Sequence, residues 1–265
     1  MSESKNTGRV ILAGAGPGDA ELITVKLHKR LAEADVIITD RLVNPDIISD
    51  NANSTALVLF AGKQGYNENS FTQDEVTALM IQYAAQGKKV LRLKGGDVAF
   101  FSNVLDELQA LIENGIPFEI IPGITAASGA SAYTGIPLTA RGYAQGVQLL
   151  TFNPNSHYSP EIWKQLAASS DTLVFYMAAK NITDLTELLL RYSRRPDTPL
   201  AVIEQATTVF QQVHLSTLKN CVSDFAGMTF SSPSLVIIGD VVKLYEKFKW
   251  AKTSETGSVF VELNA

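Results

Sequence analysis

The stretch Arg9-Val10-Ile11-Leu12-Ala13-Gly14-Ala15-Gly16-Pro17-Gly18-Asp19 decides the fold. Residues 9–13 form a short, mostly apolar run without polar alternation, the pattern of a strand buried on both faces. Glycines then end the strand in a tight turn. Residues 21–33 follow with apolar side chains three and four apart, as in an amphipathic helix. Strand, glycine turn and helix in that order open a parallel α/β sheet.

The alternation continues outward from this stretch. Residues 35–39, 56–60, 89–93 and 118–121 read as further buried strands, and 72–86 and 103–114 as helices. Gly87 and Gly115 stand where helix C-caps belong. The pattern breaks over 134–146, which holds Gly135, Pro137, Gly142 and Gly146. It restarts with strands expected at 147–152, 172–177, 200–204, 209–215 and 235–238, and helices at 161–168, 181–191, 217–226 and 241–248. The expected architecture is α/β: two domains with mostly parallel sheets. An N-terminal domain with Gly-rich loops covers 1–136, a linker 137–146, a C-terminal domain 147–250 and a flexible tail 251–265. One large sheet is the alternative.

The 265 residues carry 22 Lys and Arg against 27 Asp and Glu, a net charge of −5. An acidic balance argues against nucleic-acid binding, which needs a basic footprint. It leaves room for a local basic pocket that takes an acidic small molecule. Cys221 is the sole cysteine, which excludes an intramolecular disulfide and a Cys-rich metal site. His28, His157 and His214 are too scattered for a zinc set, so no metal is expected. The polar opening has no apolar signal core, and no apolar run is long enough to span a membrane. The expectation is a cytoplasmic protein without membrane partners.

Three small-residue segments fall at strand ends. The loop Gly14–Asp19 resembles a dinucleotide fingerprint, with Asp40 about twenty residues further on. The detail fits badly: the third glycine would fall at Asp19, and Pro17 removes an N–H that a pyrophosphate needs. The loop better suits a ligand without phosphates; a plain βα turn is the other reading. A second turn, Lys94-Gly95-Gly96-Asp97, lets the backbone approach a ligand closely. The third, Pro122-Gly123-Ile124-Thr125-Ala126-Ala127, starts a helix of small residues that Thr125 can cap. Tight helix–sheet packing explains such a helix equally well. Three such segments at one sheet edge favour a ligand site, because ligands of open parallel sheets bind beyond the carboxyl ends of the strands.

The runs VILAGAGPGDAELIT (10–24), ADVIITDRLV (34–43), RLKGGD (92–97), GIPFEIIPGITAASGASAYTGIPLT (115–139), YAQ (143–145), TLVFYM (172–177) and SPSLVIIGDVV (232–242) resemble the tetrapyrrole (corrin/porphyrin) methylase family. The pattern is nearest to its uroporphyrinogen-III C-methyltransferases. The resemblance implies a two-domain α/β homodimer that binds S-adenosylmethionine (SAM) in a cleft between domains. It further implies release of S-adenosylhomocysteine and conversion of uroporphyrinogen III to precorrin-2 through precorrin-1, towards siroheme or cobalamin. By position, Pro17, Gly95, Gly96, Asp97, Phe100, Thr125, Ala126, Met177 and Ala206 fall where the family contacts the methyl donor. Asp97 can accept from a ribose hydroxyl or pair with the amino group, and Met177 offers a soft apolar wall. Asp40 and Lys63 fall at the proton acceptor and donor.

The chemistry supports this reading independently. A sulfonium methyl is already activated, so alignment with a carbon nucleophile is the main task. A pyrrole carbon gains nucleophilicity as its N–H proton leaves, which gives Asp40 a role as base; a helix cap or a ribose ligand is the other role for such a residue. Arg41 and Arg141 are the expected substrate-binding residues, with Lys63, Arg92 and Lys94 further candidates for the substrate's carboxylates.

Departures from the family pattern gather on the acceptor side. The usual Pro-Phe-Ile-Phe-Gly-Arg-Gly-Gly after the Gly-Gly-Asp turn is Val98-Ala99-Phe100-Phe101-Ser102-Asn103-Val104-Leu105 here. Gln64, Ala140, Gly142, Asn153 and Ala206 also replace usual residues. The alternatives are therefore a methylase of another tetrapyrrole, a SAM-binding protein without catalysis, and a dinucleotide-dependent oxidoreductase.

Overall fold

The structure, a computed structural model, describes residues 8–61, 72–154, 158–252 and 256–260. The chain divides into two compact units. One contains the described residues through Thr125 together with 258–260, the other Ala126–Gly257.

The first unit is built from β1 (Arg9–Gly14), α1 (Val25–Glu33), β2 (Val36–Asp40), α2 (Pro45–Asn51), β3 (Leu57–Ala61), α3 (Gln73–Ala85), β4 (Lys89–Lys94), α4 (Leu105–Glu113) and β5 (Phe118–Ile121). Its five strands lie in the order β3-β2-β4-β1-β5, every pair parallel. Strand pleat explains why the inner strands read as continuous apolar runs. Ile11 and Ala13 of β1 join Leu27 and Leu31 of α1 and Ile47 of α2 on one face. Val10 and Leu12 join Met80 of α3 and Leu111 of α4 on the other. Each fully buried leucine contributes about 1.5–3 kcal/mol.

Caps set the helix boundaries. The expected helix at 21–33 splits in two. Asp19 Oδ1 accepts from Glu21 N at 2.8 Å and starts a short 3₁₀ turn, and Thr24 Oγ1 accepts from Leu27 N at 3.1 Å and starts α1. Helix α2 was not expected, although Asn44-Pro45-Asp46 carries its signal: Asn44 Oδ1 accepts from Asp46 N, and Pro45 occupies the first turn. Thr72 and Glu75 form a capping box on α3. Helix α4 starts later than residue 103 because Asn103 sits at φ 51°, outside helical space.

The second unit contains α5 (Ala126–Thr134), β6 (Val147–Thr151), α6 (Pro160–Ala168), β7 (Thr172–Tyr176), α7 (Ile182–Arg191), β8 (Pro199–Glu204), β9 (Gln212–Thr217), α8 (Cys221–Asp224), β10 (Ser234–Ile238) and α9 (Tyr245–Phe248). Its order is β6-β7-β10-β8-β9. The α/β class holds throughout, but "mostly parallel" describes only the first sheet. Here β6 and β7 pair parallel, while β7–β10, β10–β8 and β8–β9 pair antiparallel. The reason lies in the connections. A parallel neighbour needs a crossover helix, whereas β8 and β9 are joined by a helix-free turn over 205–211. That turn also moves β9 three residues past its expected start at 209, and β9 then takes Thr217 from the expected helix at 217–226.

Two further placements differ from the sequence reading. The division falls at Thr125/Ala126 rather than within 137–146, because Ala127 and Ala130 of α5 pack with Val174, Ala201 and Ile237 of the second sheet. Within 137–146, Ala140 and Ala144 close a turn by exchanging backbone hydrogen bonds at 3.0 Å. In the tail expected to be flexible, Gly257 O accepts from Gln205 Nε2 at 2.8 Å and Phe260 is buried.

One carboxylate held by two cations makes the first unit's stability depend on acidity. Glu119 on β5 accepts from Arg30 Nε at 3.0 Å and pairs with Lys26 Nζ at 2.5 Å. Hydrogen bonds from Arg30 first, then Lys26, hold its carboxyl at about 2 against an ordinary 4.5. The folded value is depressed, so this stabilisation is present above pH 4.5 and fades as pH falls towards 2. Glu119→Gln is expected to melt below the native chain at pH 7, with the gap closing across that window. A gap independent of pH contradicts the assignment.

Candidate functional site

The site is built from the loops beyond the carboxyl ends of β1, β2, β4 and β5. Gly16 N donates to Gly96 O at 3.0 Å and Gly96 N to Gly16 O at 2.8 Å, which joins the first loop to the β4 turn. Asp97 Oδ2 accepts from Gly123 N at 2.7 Å, which joins that turn to the segment after β5. The other oxygen, Oδ1, accepts from Ala99 N at 2.7 Å. Glycine is required where the loops meet: a Cβ on Gly123 would lie 2.2 Å from Gly96 O, and one on Gly14 2.5 Å from the same oxygen. The loop after β2 joins from the side. Asn44 Nδ2 donates to Gly18 O at 2.8 Å, and a Cβ on Gly95 would lie 2.7 Å from Leu42 O.

Asp40 ends β2 at this edge, its side chain about a quarter exposed (28%). Arg92 Nη2 donates to Asp40 Oδ1 at 2.6 Å and fixes the carboxylate's direction. Beside it, burial pushes the Arg41 guanidinium below its usual value, and Asp40 opposes the shift.

The second unit has a comparable edge. Strands β7 and β8 both run antiparallel to the intervening β10, so their carboxyl ends lie on one side of the sheet. Met177 follows β7, exposed and at φ 59°; Gln205 and Thr207 follow β8 at φ 45° and 74° and flank Ala206. Left-handed backbone is costly for a β-branched residue such as Thr207, and such strain gathers at functional turns. Ala127 N donates to Tyr176 Oη at 3.1 Å, and Ala126, Tyr176 and Ala206 belong to one apolar cluster.

The profile of the Tetrapyrrole (Corrin/Porphyrin) Methylases matches residues 9–221. The chain belongs to the tetrapyrrole methylase family. It is 44% identical over 244 residues to a siroheme synthase from Acinetobacter baylyi, covering 92% of this chain and 53% of that protein. The methylase thus spans about half the length of the curated relatives it matches. Among solved structures, uroporphyrin-III C-methyltransferase from Thermus thermophilus is 32% identical with a TM-score of 0.75, covering 93% of this chain and 98% of that one. The same Thermus enzyme complexed with S-adenosylhomocysteine gives 31% and 0.75, covering 90% and 100%. A cobalt precorrin-4 methyltransferase gives 26% and 0.78, covering 88% and 95%.

Within the methylase, Pro17, Gly95, Gly96 and Asp97 come together in the first unit, and Phe100 N donates to Asp97 O at 3.3 Å in the same turn. Thr125 ends that unit, while Ala126, Met177 and Ala206 share the second unit's edge. Lys63 and Gln64 lie outside the described residues. Arg141 is exposed in the turn at Ala140–Ala144. Two of the further anion candidates need correction: Arg92 and Lys94 are buried and both bond Glu107, so they are committed inside the protein. The Asp97 carboxylate also serves two backbone amides, those of Ala99 and Gly123. The sequence reading missed Glu107, although a charged residue in the apolar stripe of α4, four before Leu111, was its signal. Among the described residues, no group of three or more His, Cys, Asp or Glu side chains is placed to hold a metal.

Asp97→Ala strips two amides of their acceptor, at a cost of about 1–3 kcal/mol for each one left unsatisfied. The variant is expected to melt lower without any ligand present, because the carboxylate ties loops together. An unchanged ligand-free melting temperature contradicts this role.

Proposed function

We propose that this methylase transfers methyl groups from SAM to carbon atoms of uroporphyrinogen III, giving precorrin-2 through precorrin-1. The observation that carries this reading is the junction of three glycine loops through Gly16, Gly96, Asp97 and Gly123, with Asp40 at the end of the neighbouring strand. The glycines let the three loops close on one another, and Pro17 and Asp19 disfavour a pyrophosphate, which favours an adenosine bearing a sulfonium over a dinucleotide. SAM supplies an already activated methyl group. Asp40 takes the pyrrole N–H proton and so raises the nucleophilicity of the ring carbon; Lys63 is the proton donor, and Arg41 and Arg141 bind acceptor carboxylates. The similarity to siroheme synthases and to the Thermus methyltransferase supports the acceptor and the methylation step.

Calorimetry tests the donor: SAM and S-adenosylhomocysteine bind, NAD does not, and a preference for NAD overturns the reading in favour of an oxidoreductase. Offering labelled SAM with uroporphyrinogen III and, separately, with more highly methylated tetrapyrroles tests the acceptor. Labelling of a later tetrapyrrole alone overturns that choice.

We also propose a homodimer, as the family resemblance implies. Sedimentation at micromolar concentration is expected to give twice the 28.7 kDa chain mass, and a clean monomer contradicts it.

A further inference from the structure

Four charged side chains are linked at the end of the face that carries α3 and α4. Residues Arg92 and Lys94 are two apart on β4 and so share a face with Val90. Glu107 of α4 meets both there and is fully buried. Its Oε1 accepts from Arg92 Nε at 3.0 Å, Lys94 Nζ at 3.1 Å and Gln73 Nε2 at 3.1 Å; its Oε2 accepts from Lys94 Nζ at 2.9 Å. Arg92 continues outward, with Nη2 on Asp40 Oδ1 at 2.6 Å and Nη1 on the carbonyls of Ile38 and Leu93 at 3.4 and 3.2 Å. Two carboxylates balance two cations.

We propose that Glu107 is a positioning residue for Asp40, acting through Arg92. The inference rests on the reading of Asp40 as the base. A guanidinium is a rigid planar fork, so anchoring Nε on Glu107 sets where Nη2 points, and Nη2 holds the Asp40 carboxylate. Lys94 neutralises Glu107, which leaves the charge of Arg92 directed at Asp40. Burying three of the four charges adds little stability over an apolar filling, so stability alone is a weak reason for the cluster. Orientation of the one member that reaches solvent is a better one.

A double-mutant cycle with turnover as the readout tests this. Glu107→Gln is expected to lower kcat by about 10–100-fold, as small misplacements of a reacting group do, with KM for the tetrapyrrole and SAM affinity little changed. In an Asp40→Asn background the same change should cost nothing further. Arg92→Lys keeps the charge but loses the fork, and should repeat the pattern; it carries the test if Glu107→Gln fails to fold. Losses that multiply in the double variants show a role independent of Asp40 and overturn the proposal. If Asp40→Asn alone turns over like the native chain, the base assignment falls and the proposal with it.

Discussion

Asp40→Asn is expected to lower the methylation rate by about 10²–10⁴, the usual worth of a positioned general base. The substitution keeps the shape of the side chain and an oxygen for Arg92 Nη2 at 2.6 Å, so the fold should persist. It removes the capacity to take a proton. SAM affinity should change little, because the glycine junction is held by Gly16, Gly96 and the carboxylate of Asp97 rather than by Asp40. Single-turnover methylation beside calorimetry separates the two effects. Lost SAM binding with an unchanged rate for bound donor would invert the roles and make Asp40 a ligand for the nucleoside.

Gly123→Ala is expected to be the most damaging small change in the first unit. The added carbon would stand 2.2 Å from Gly96 O and 2.8 Å from Gly14 C and O, all backbone atoms of the neighbouring loops. Those loops cannot retreat without breaking the Gly16–Gly96 hydrogen bonds or the Gly123 N–Asp97 bond. Destabilisation of about 3 kcal/mol, at the upper end for overpacking, corresponds to roughly 6–12 °C in Tm. SAM affinity should fall by about tenfold or more with it. Gly115→Ala is the control. Nothing lies within 4 Å of its added carbon, so only the left-handed backbone penalty, about 1–2 kcal/mol, remains. Equal effects at the two positions would show that the junction is not tight.

What was legible in the sequence was what local chemistry determines. The inner strands of the first sheet were readable because residues such as Val10 to Ala13 are buried on both faces and leave no polar alternation. The glycine loops were readable because tight turns demand glycine. Helix starts were less so: Asp19 and Thr24 are both good caps, and periodicity alone does not say that each starts its own turn. The antiparallel β8–β9 pair was legible in the four residues expected between those strands, too few for a crossover, whereas the insertion of β10 between β7 and β8 was hidden because only the fold sets strand order. Arg92 and Lys94 looked like surface cations that bind substrate. Their partner Glu107 is more than ten residues away in sequence, and only the fold brings the charges together.

Methyl transfer from SAM to a uroporphyrinogen carbon is the step on which the proposed function rests. Mass spectrometry of the tetrapyrrole after anaerobic incubation of uroporphyrinogen III with the protein and SAM tests it most directly. The prediction is a monomethylated product that appears first and a dimethylated product that replaces it, with S-adenosylhomocysteine formed in step. Uroporphyrinogen III recovered without added methyl groups, by protein that binds SAM, would contradict it.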